Sequence, residues 1–470
     1  MSPAQTSAKP KSCHNCRRQR LRCDRSFPTC QKCSKKGLYC LGYGNLYIWT
    51  PPRLLPPRPS RPLLDPLLQV LGRPYREYVN HFATHLCKDL VAHDFPGRNP
   101  FRDLVPLTRE YPVLLHIILA TSAIHMSNAF CQDIPSLSCQ YSTLQYLRSR
   151  NEPSRRALLD ALIAKQNALG LLKAAVEQGD SFCRDVILAV MTFFINLELI
   201  DGSRDGWVAH IYGAQSFITA LLKRQDNDPS SPWSGLRDYL ISDCLTYHTL
   251  SLSLTAVTKP TAATSSNLLI TVLERTEANS YLCCPPTILQ IIHAASQLPP
   301  GSAAAPQEAA DLIQKASAFD IHSWASRLGP SPEQVLSVRQ HVASAHRSAA
   351  ILYILQSVSP PYEPCVDADV LLSDTFHHLS LVSEHDNLFK ATAWPTFIAG
   401  AGTDDPARRA WVLQRLERLW ETLLWGYIRT AMETLQEIWT LRDSARQSTG
   451  TRIHSPLLEL KSRGFGCLVV

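Results

Sequence analysis

Apolar residues return every three or four positions along most of this chain. Tyr75, Val79, Phe82, Leu86 and Leu90 mark one face of a helix. Similar stripes run through 112–126, 156–176, 185–199, 206–223, 233–256 and 332–356. The longest, 405–441, sets Trp411, Leu416, Leu419, Trp420, Leu423, Tyr427, Ile428, Leu435, Ile438 and Trp439 at helical spacing. Asp404 or Asp405 before Pro406 supplies its N-cap. Runs that alternate polar and apolar, as strands require, are hard to find. Segments 225–232 (QDNDPSSP) and 294–308 (AASQLPPGSAAAPQE) read as loops. The pattern predicts an all-α body with a core large enough to stand alone. The best candidate for a membrane span, Val186 to Ile195, is ten residues long. A membrane-spanning helix needs about 20, so no membrane span is predicted. The N-terminal MSPAQTSAKPKSC has no apolar core of the kind an export signal carries.

The texture ahead of the body is different. Residues 51–66 hold seven prolines, which forbid a continuous helix and predict an extended, semi-stiff spacer. A short helix closes it, with Asp65 as cap, Pro66 in the first turn and Gly72 as stop. The resulting layout is a basic arm at 1–12, a cysteine block at 13–40, a proline-rich linker at 41–74, a helical domain at 75–445 and a tail at 446–470.

Charge separates the same zones. Residues 1–50 carry ten Lys and Arg against one acid, Asp24, a net +9, and residues 51–75 add +3. The whole chain is +7, so the remaining 395 residues carry −5. A basic head on a mildly acidic body points to a polyanionic partner for the head. Cysteine is as uneven: six of fifteen fall between positions 13 and 40. With no export signal and an odd total, the clustered six read as metal ligands in a reducing compartment, not as disulfides.

The cluster contains a repeat. CHNCRRQRLRC (13–23) and CQKCSKKGLYC (30–40) are each eleven residues long, with cysteines at offsets 0, 3 and 10. Structural zinc takes four ligands, and thiolates suit it. One ion would leave two of Cys13, Cys16, Cys23, Cys30, Cys33 and Cys40 idle and break the repeat. Two ions need eight ligand positions, which six thiolates supply if two of them bridge. The bridging pair should be equivalent members of the repeats, and Cys13 and Cys30 qualify. The predicted object is one cluster of two zinc ions per chain, and its assembly would supply most of the folding free energy of a segment with almost no apolar core.

These residues carry a resemblance. The spacing, the basic run Arg17-Arg18-Gln19-Arg20-Leu21-Arg22, Asp24 after Cys23 and Pro28 before Cys30 resemble the fungal binuclear zinc cluster DNA-binding domain, typified by the yeast galactose regulator. The resemblance implies double-stranded DNA as partner, a CGG-like triplet as site and the nucleus as location. It places Arg20 where the family has its base-reading Lys, Arg22 on a second Lys position and Arg17 on the usual Arg. Arg in place of Lys still suits guanine, whose O6 and N7 it takes in bidentate fashion. Arg18, Lys35 and Lys36, with Arg25, Lys32 and the Lys9/Lys11 arm, read as phosphate contacts or a solvated basic face. The second repeat has Ser34 and Gly37 where the first has Arg17 and Arg20, so only the first half is equipped to read bases. Family members often dimerise through a coiled coil after the cluster, but no heptads occur between 41 and 75. The protein therefore binds as a monomer or forms a homodimer through its helical body.

The body has its own resemblance. Asn99-Pro100-Phe101-Arg102-Asp103-Leu104-Val105-Pro106-Leu107, the following helix with Leu114, Leu115, His116 and Ile118, and Trp394-Pro395-Thr396-Phe397-Ile398-Ala399-Gly400 resemble the second fungal-specific transcription factor regulatory domain. That implies a helical module for activation, autoinhibition or effector response, working with transcriptional co-regulators. No catalytic constellation stands out, and an enzyme is not expected. His81 and His85 are four apart, as a metal pair would be, and read instead as packed or solvated. Cys283-Cys284-Pro285-Pro286 reads as a loop, the terminal Cys467-Leu468-Val469-Val470 as an incidental match to a prenylation box, and the tryptophans as core. The reading is a nuclear, zinc-dependent regulator of RNA polymerase II promoters, with a secondary-metabolite gene cluster as its expected target. The alternative is a helical interaction or effector-sensing protein whose zinc head is only a generic DNA anchor.

Overall fold

The computed structural model describes residues 11–43, 72–95, 97–131, 148, 150–178, 183–223, 234–255, 266–298, 305–328, 333–357, 366–449, 456–462 and 466–470. The chain divides into two compact units, Met1–Gln69 and Val70–Val470. The proline-rich spacer and its short helix at 65–71 lie outside the described residues, as does the expected loop at 225–232.

The first unit is small. Two five-residue helices, α1 (His14–Arg18) and α2 (Gln31–Lys35), each start one residue after the first cysteine of a repeat. Its buried centre is made of Cys13, Cys16, Cys30, Cys33 and Cys40, with Leu21, Cys23 and Tyr43 packed on the outside.

The second unit is helical, and its described residues contain no strand beyond one isolated bridge between Val91 and Ser280. It opens with α3 (Arg73–His81), which widens into a π turn at Phe82–Leu86 and ends at Asp89. The Asn99 motif then forms a clasp. The Asn99 side chain accepts from Phe101 N (3.1 Å) and donates to Cys87 O (2.7 Å), while Arg102 grips Asp94 and donates to Ala83 O (2.8 Å). Phe101 is thereby driven fully into the core.

Helix α4 (Pro112–Ala129) is apolar on every side. It is long and apolar enough to cross a membrane, but 72% of it is buried inside this unit. On one side it packs against α5 (Glu152–Glu177), whose buried stripe is Ala157, Ala161, Ala164, Ala168 and Ala175. On the other it meets α6 (Arg184–Asp201), buried from Val186 to Val190 and from Thr192 to Ile200. Two helices packed against one another follow, α7 (Trp207–Lys223) and α8 (Ser234–Leu254). Then come α9 (Ser266–Thr276), α10 (Pro286–Ser296), α11 (Ala305–Ala318) and α12 (Ile321–Arg327). The loop expected across 294–308 is shorter than read, because helix already occupies 294–296 and resumes at Ala305. The long α13 (Glu333–Ser357) holds α14 (Ala368–Ser380) and α15 (Ala393–Gly402), and nearly all of α15 is buried around Trp394, Phe397 and Ile398.

The 405–441 stripe is two helices, not one. α16 (Pro406–Leu423) stops where Leu424 turns left-handed at φ 59°, and α17 (Tyr427–Thr449) restarts three residues on. The corner is pinned from elsewhere. His125 of α4 bonds Leu423 O (2.9 Å), Asn128 donates to Leu424 O (2.7 Å) and Ile200 O (2.9 Å), and Gly426 N donates to Ile200 O (3.0 Å). Gly426 is obligatory there: a Cβ would lie 2.6 Å from Gly202 N and 2.7 Å from Ile200 O. A final helix, α18 (Pro456–Ser462), precedes residues Cys467–Val470, all buried.

Candidate zinc centre and nucleic-acid interface

Each repeat builds the same local device. Cys13 and Cys30 sit at the N-caps, and their sulfurs accept from the backbone N of Cys16 (3.4 Å) and Cys33 (3.3 Å). Six thiols then fall into two overlapping groups. Cys13, Cys16, Cys23 and Cys30 have all four Sγ atoms within 4.8 Å of one another, and so do Cys13, Cys30, Cys33 and Cys40. The shared members are Cys13 and Cys30. The Sγ separations are 3.6 Å for Cys13–Cys30, 3.7 Å for Cys13–Cys33 and 3.7 Å for Cys16–Cys30. A tetrahedron with Zn–S bonds of about 2.3 Å has edges of about 3.8 Å. The donor set therefore fits two tetrahedral zinc ions joined by two bridging sulfurs.

The repeats are laced together around this centre. His14 N donates to Gly42 O (3.1 Å) and the Asn15 amide to Tyr39 O (2.5 Å), so the first helix holds the end of the second repeat. Asp24 joins them from the other side. Its carboxylate accepts from the Ser26 hydroxyl, from Gln31 N (3.0 Å) and from Lys32 N (3.4 Å), capping α2. Those bonds, the Ser26 hydroxyl first, hold the Asp24 carboxyl well below the ordinary carboxylate range. Tyr43 OH donates to Ser26 O (2.5 Å) and closes the loop. The clasping roles of Asn15 and Tyr43 have no sequence signature. That of Asp24 does: Asp-x-Ser shortly before a helix is a local turn-and-cap pattern.

Both helices end at the same offset with a left-handed residue. In the second repeat it is Gly37, at φ 63°, and in the first it is Arg20, at φ 52°. The following amides match too, Leu21 N to Cys16 O and Leu38 N to Cys33 O, both at 2.9 Å. Glycine reaches this backbone at no steric cost, whereas a side chain costs about 1–2 kcal/mol there. Arg20 thus occupies a position whose backbone favours glycine. Arg17, Arg18, Arg20, Arg22, Lys35 and Lys36 are all exposed. The first four cluster at and just beyond the end of α1, where cations also suit the helix dipole.

The other candidates resolve into packing. His81 faces His125 (2.8 Å between ring nitrogens) and stacks on His85 (4.5 Å between ring centres). A carbonyl only accepts, so His125 Nε2 donates to Leu423 O and its Nδ1 accepts from His81. Burial, then the neighbouring His125 and His85, push His81 down to about 3. The Cys283–Cys284 turn is buried, as is Cys467, and Trp420, Trp425 and Trp439 are core residues.

Two family models match the chain. One, described as the fungal Zn(2)-Cys(6) binuclear cluster domain, covers residues 11–45, and the other, described as the fungal specific transcription factor domain, covers residues 77–453. The acriflavine sensitivity control protein acr-2 of Neurospora crassa is 33% identical over 99% of this chain and 98% of its own length. The sterol uptake control protein 2 of Saccharomyces cerevisiae is 24% identical over 30% of this chain and 15% of its own. No solved structure matches.

Proposed function

The chain belongs to the fungal Zn(2)-Cys(6) transcription factors, and from that premise we propose that its head reads a CGG-like triplet through Arg20, on a cluster held by Cys13, Cys16, Cys23, Cys30, Cys33 and Cys40. The family is one of DNA-binding transcription factors, not of enzymes, and its cluster takes two zinc ions. When bound, the zinc ions supply fixed geometry and no redox chemistry. The chain's own residues do the recognition. Cys13 and Cys30 cap the two helices, Asp24 sets the second against the first, and α1 with the residues just after it presents Arg17, Arg20 and Arg22.

The observation that carries the reading is Arg20 in a left-handed position where the sister repeat has Gly37. Arg20 and Arg22 contact guanine, while Arg17, Arg18, Lys35 and Lys36 hold phosphate or orient the head. With six thiolates and two zinc ions together at −2, the +9 head stays near +7. Phosphate neutralisation then gives most of the non-specific affinity and a steep salt dependence. The protein acts in the nucleus, and residues 75–445 control output through co-regulators.

The targets divide two readings. A single contiguous secondary-metabolite gene cluster is one. The end-to-end similarity to a protein named for acriflavine sensitivity supports the other, genes that set sensitivity to that compound. Genome-wide occupancy of the full-length protein, beside a Cys13→Ser control, decides between them. Sharp peaks that share the triplet and vanish in the control are expected, and the genes beneath them name the target set. Diffuse occupancy, or peaks indifferent to Cys13, would overturn base reading by the head in favour of an interaction protein on a generic anchor.

A further inference from the structure

Helix α5 is apolar on two faces. Its alanine face is buried against α4, while the opposite side leaves Leu159 54%, Leu162 49%, Ile163 60%, Leu169 41% and Val176 50% exposed. Leu159, Leu162, Gln166, Leu169, Lys173 and Val176 follow a 3-4 spacing, the seam of a two-helix coiled coil. From Leu159 to Val176 the seam is about 25 Å long at 1.5 Å per residue. Gly170 lies on the same side in mid-helix, where glycine is unfavourable. Among the described residues nothing requires it, for a Cβ there would meet none of their atoms within 4 Å.

We propose that this face pairs with the α5 face of a second copy, antiparallel, about a twofold axis at Gln166. That register sets Leu162 against Gly170, Ile163 against Leu169 and Gln166 against its own copy. Arg155 then faces Glu177, and Lys173 lays its aliphatic stem over Leu159 beside Asp160. The face is complementary to itself in charge and in shape, and the Gly170 notch admits Leu162. In the parallel register Leu159, Gln166 and Lys173 each face their own copies, setting Lys173 against Lys173.

The head supplies an independent reason. Base-reading side chains stand in one repeat only, and a triplet is too short a word to select a site among a genome's competing sequences. Two heads on one dimer double the word without a coiled coil near the cluster. Self-association does not depend on how the head reads DNA. It is measured on the zinc-loaded full chain without DNA, and a Cys13→Ser variant that loses DNA binding still dimerises.

Sedimentation of the full chain between low and high micromolar concentration reads the equilibrium. Dimer is expected, and Ile163→Glu, at an exposed position, shifts it to monomer with unchanged helix content. Gly170→Leu fills the notch. It weakens association at least tenfold while the thermal midpoint of the monomer holds or rises, a combination that misfolding does not produce. A photo-cross-linking residue at position 166 should join residues 162–170 of the two copies. A chain that stays monomeric throughout, cross-links that map elsewhere, or cross-links to a different protein would each overturn the proposal.

Discussion

Arg20→Gly separates the two demands on one residue. The backbone at this position is left-handed in both repeats, φ 52° at Arg20 and 63° at Gly37. A side chain there costs about 1–2 kcal/mol, against which glycine loses about 0.5–1 kcal/mol of extra chain entropy on folding. The variant should therefore hold its zinc-loaded fold about 0.5–1 kcal/mol better, a two- to fivefold gain in apparent zinc affinity, read by chelator competition at fixed pH. It should read DNA worse. One bidentate arginine–guanine contact discriminates by about 1–3 kcal/mol, so preference for a triplet site over a scrambled one falls roughly 5- to 150-fold. Fluorescence anisotropy on both duplexes, repeated across salt, supplies the number, and the salt slope should shrink by about 0.9 if Arg20 also neutralises one phosphate. Lys35→Ala is the comparator and should weaken both duplexes alike. The reasoning is refuted if Arg20→Gly keeps the preference, or if it weakens zinc binding and both duplexes together, as a scaffold residue would.

Three more outcomes follow from named contacts. Cys13→Ser interrupts both thiol groups whereas Cys16→Ser leaves Cys13, Cys30, Cys33 and Cys40 intact; elemental analysis should find fewer zinc ions per chain in Cys13→Ser than in Cys16→Ser, and equal loss would sink the bridging assignment. Gly426→Ala forces a methyl against Gly202 and Ile200; the cost should be roughly 1–3 kcal/mol, seen as a lower urea midpoint, and an unchanged midpoint would mean the corner yields freely. Burial pushes His125, His248 and His346 each down to about 4. Below the ordinary pKa of 6.5 the unfolded chain takes up their protons first, so stability is full above pH 6.5 and lost as pH falls toward 4. At pH 5 each costs about 2 kcal/mol, and identical urea midpoints at pH 7 and pH 5 would contradict the account.

The sequence displayed the head almost completely because its information is local. Six cysteines at repeated offsets and a basic run between two of them need no distant partner to be understood. The helical class of the body was equally open, since burying a stripe leaves a period in the chain. What stayed hidden depended on contacts far apart in sequence. The stripe at 405–441 keeps its phase through the corner, Leu423 to Tyr427 being one turn, so nothing local announces that Leu424 leaves the helix. The cause is Gly426 lying on Ile200 and Gly202, more than 220 residues earlier. His81 was legible as half of a pair, but its hydrogen-bond partner is His125, 44 positions away. The stripe at 156–176 concealed a choice between two faces. Alanines took the core because α4 comes close, and the larger leucines were left outside.

The sharing of Cys13 and Cys30 by both thiol groups has a cellular consequence. Neither repeat owns a complete coordination sphere, so a nascent chain cannot close its first thiol group until Cys30 of the second repeat has left the ribosome, nor its second until Cys40 has followed. A chain that gives up one ion loosens two sulfurs that the other ion also needs. Under zinc starvation the pool of this regulator would then split into fully competent and wholly silent molecules. Scarcity of metal would be felt at promoters as a smaller dose of the protein, with the survivors gripping their sites as tightly as before.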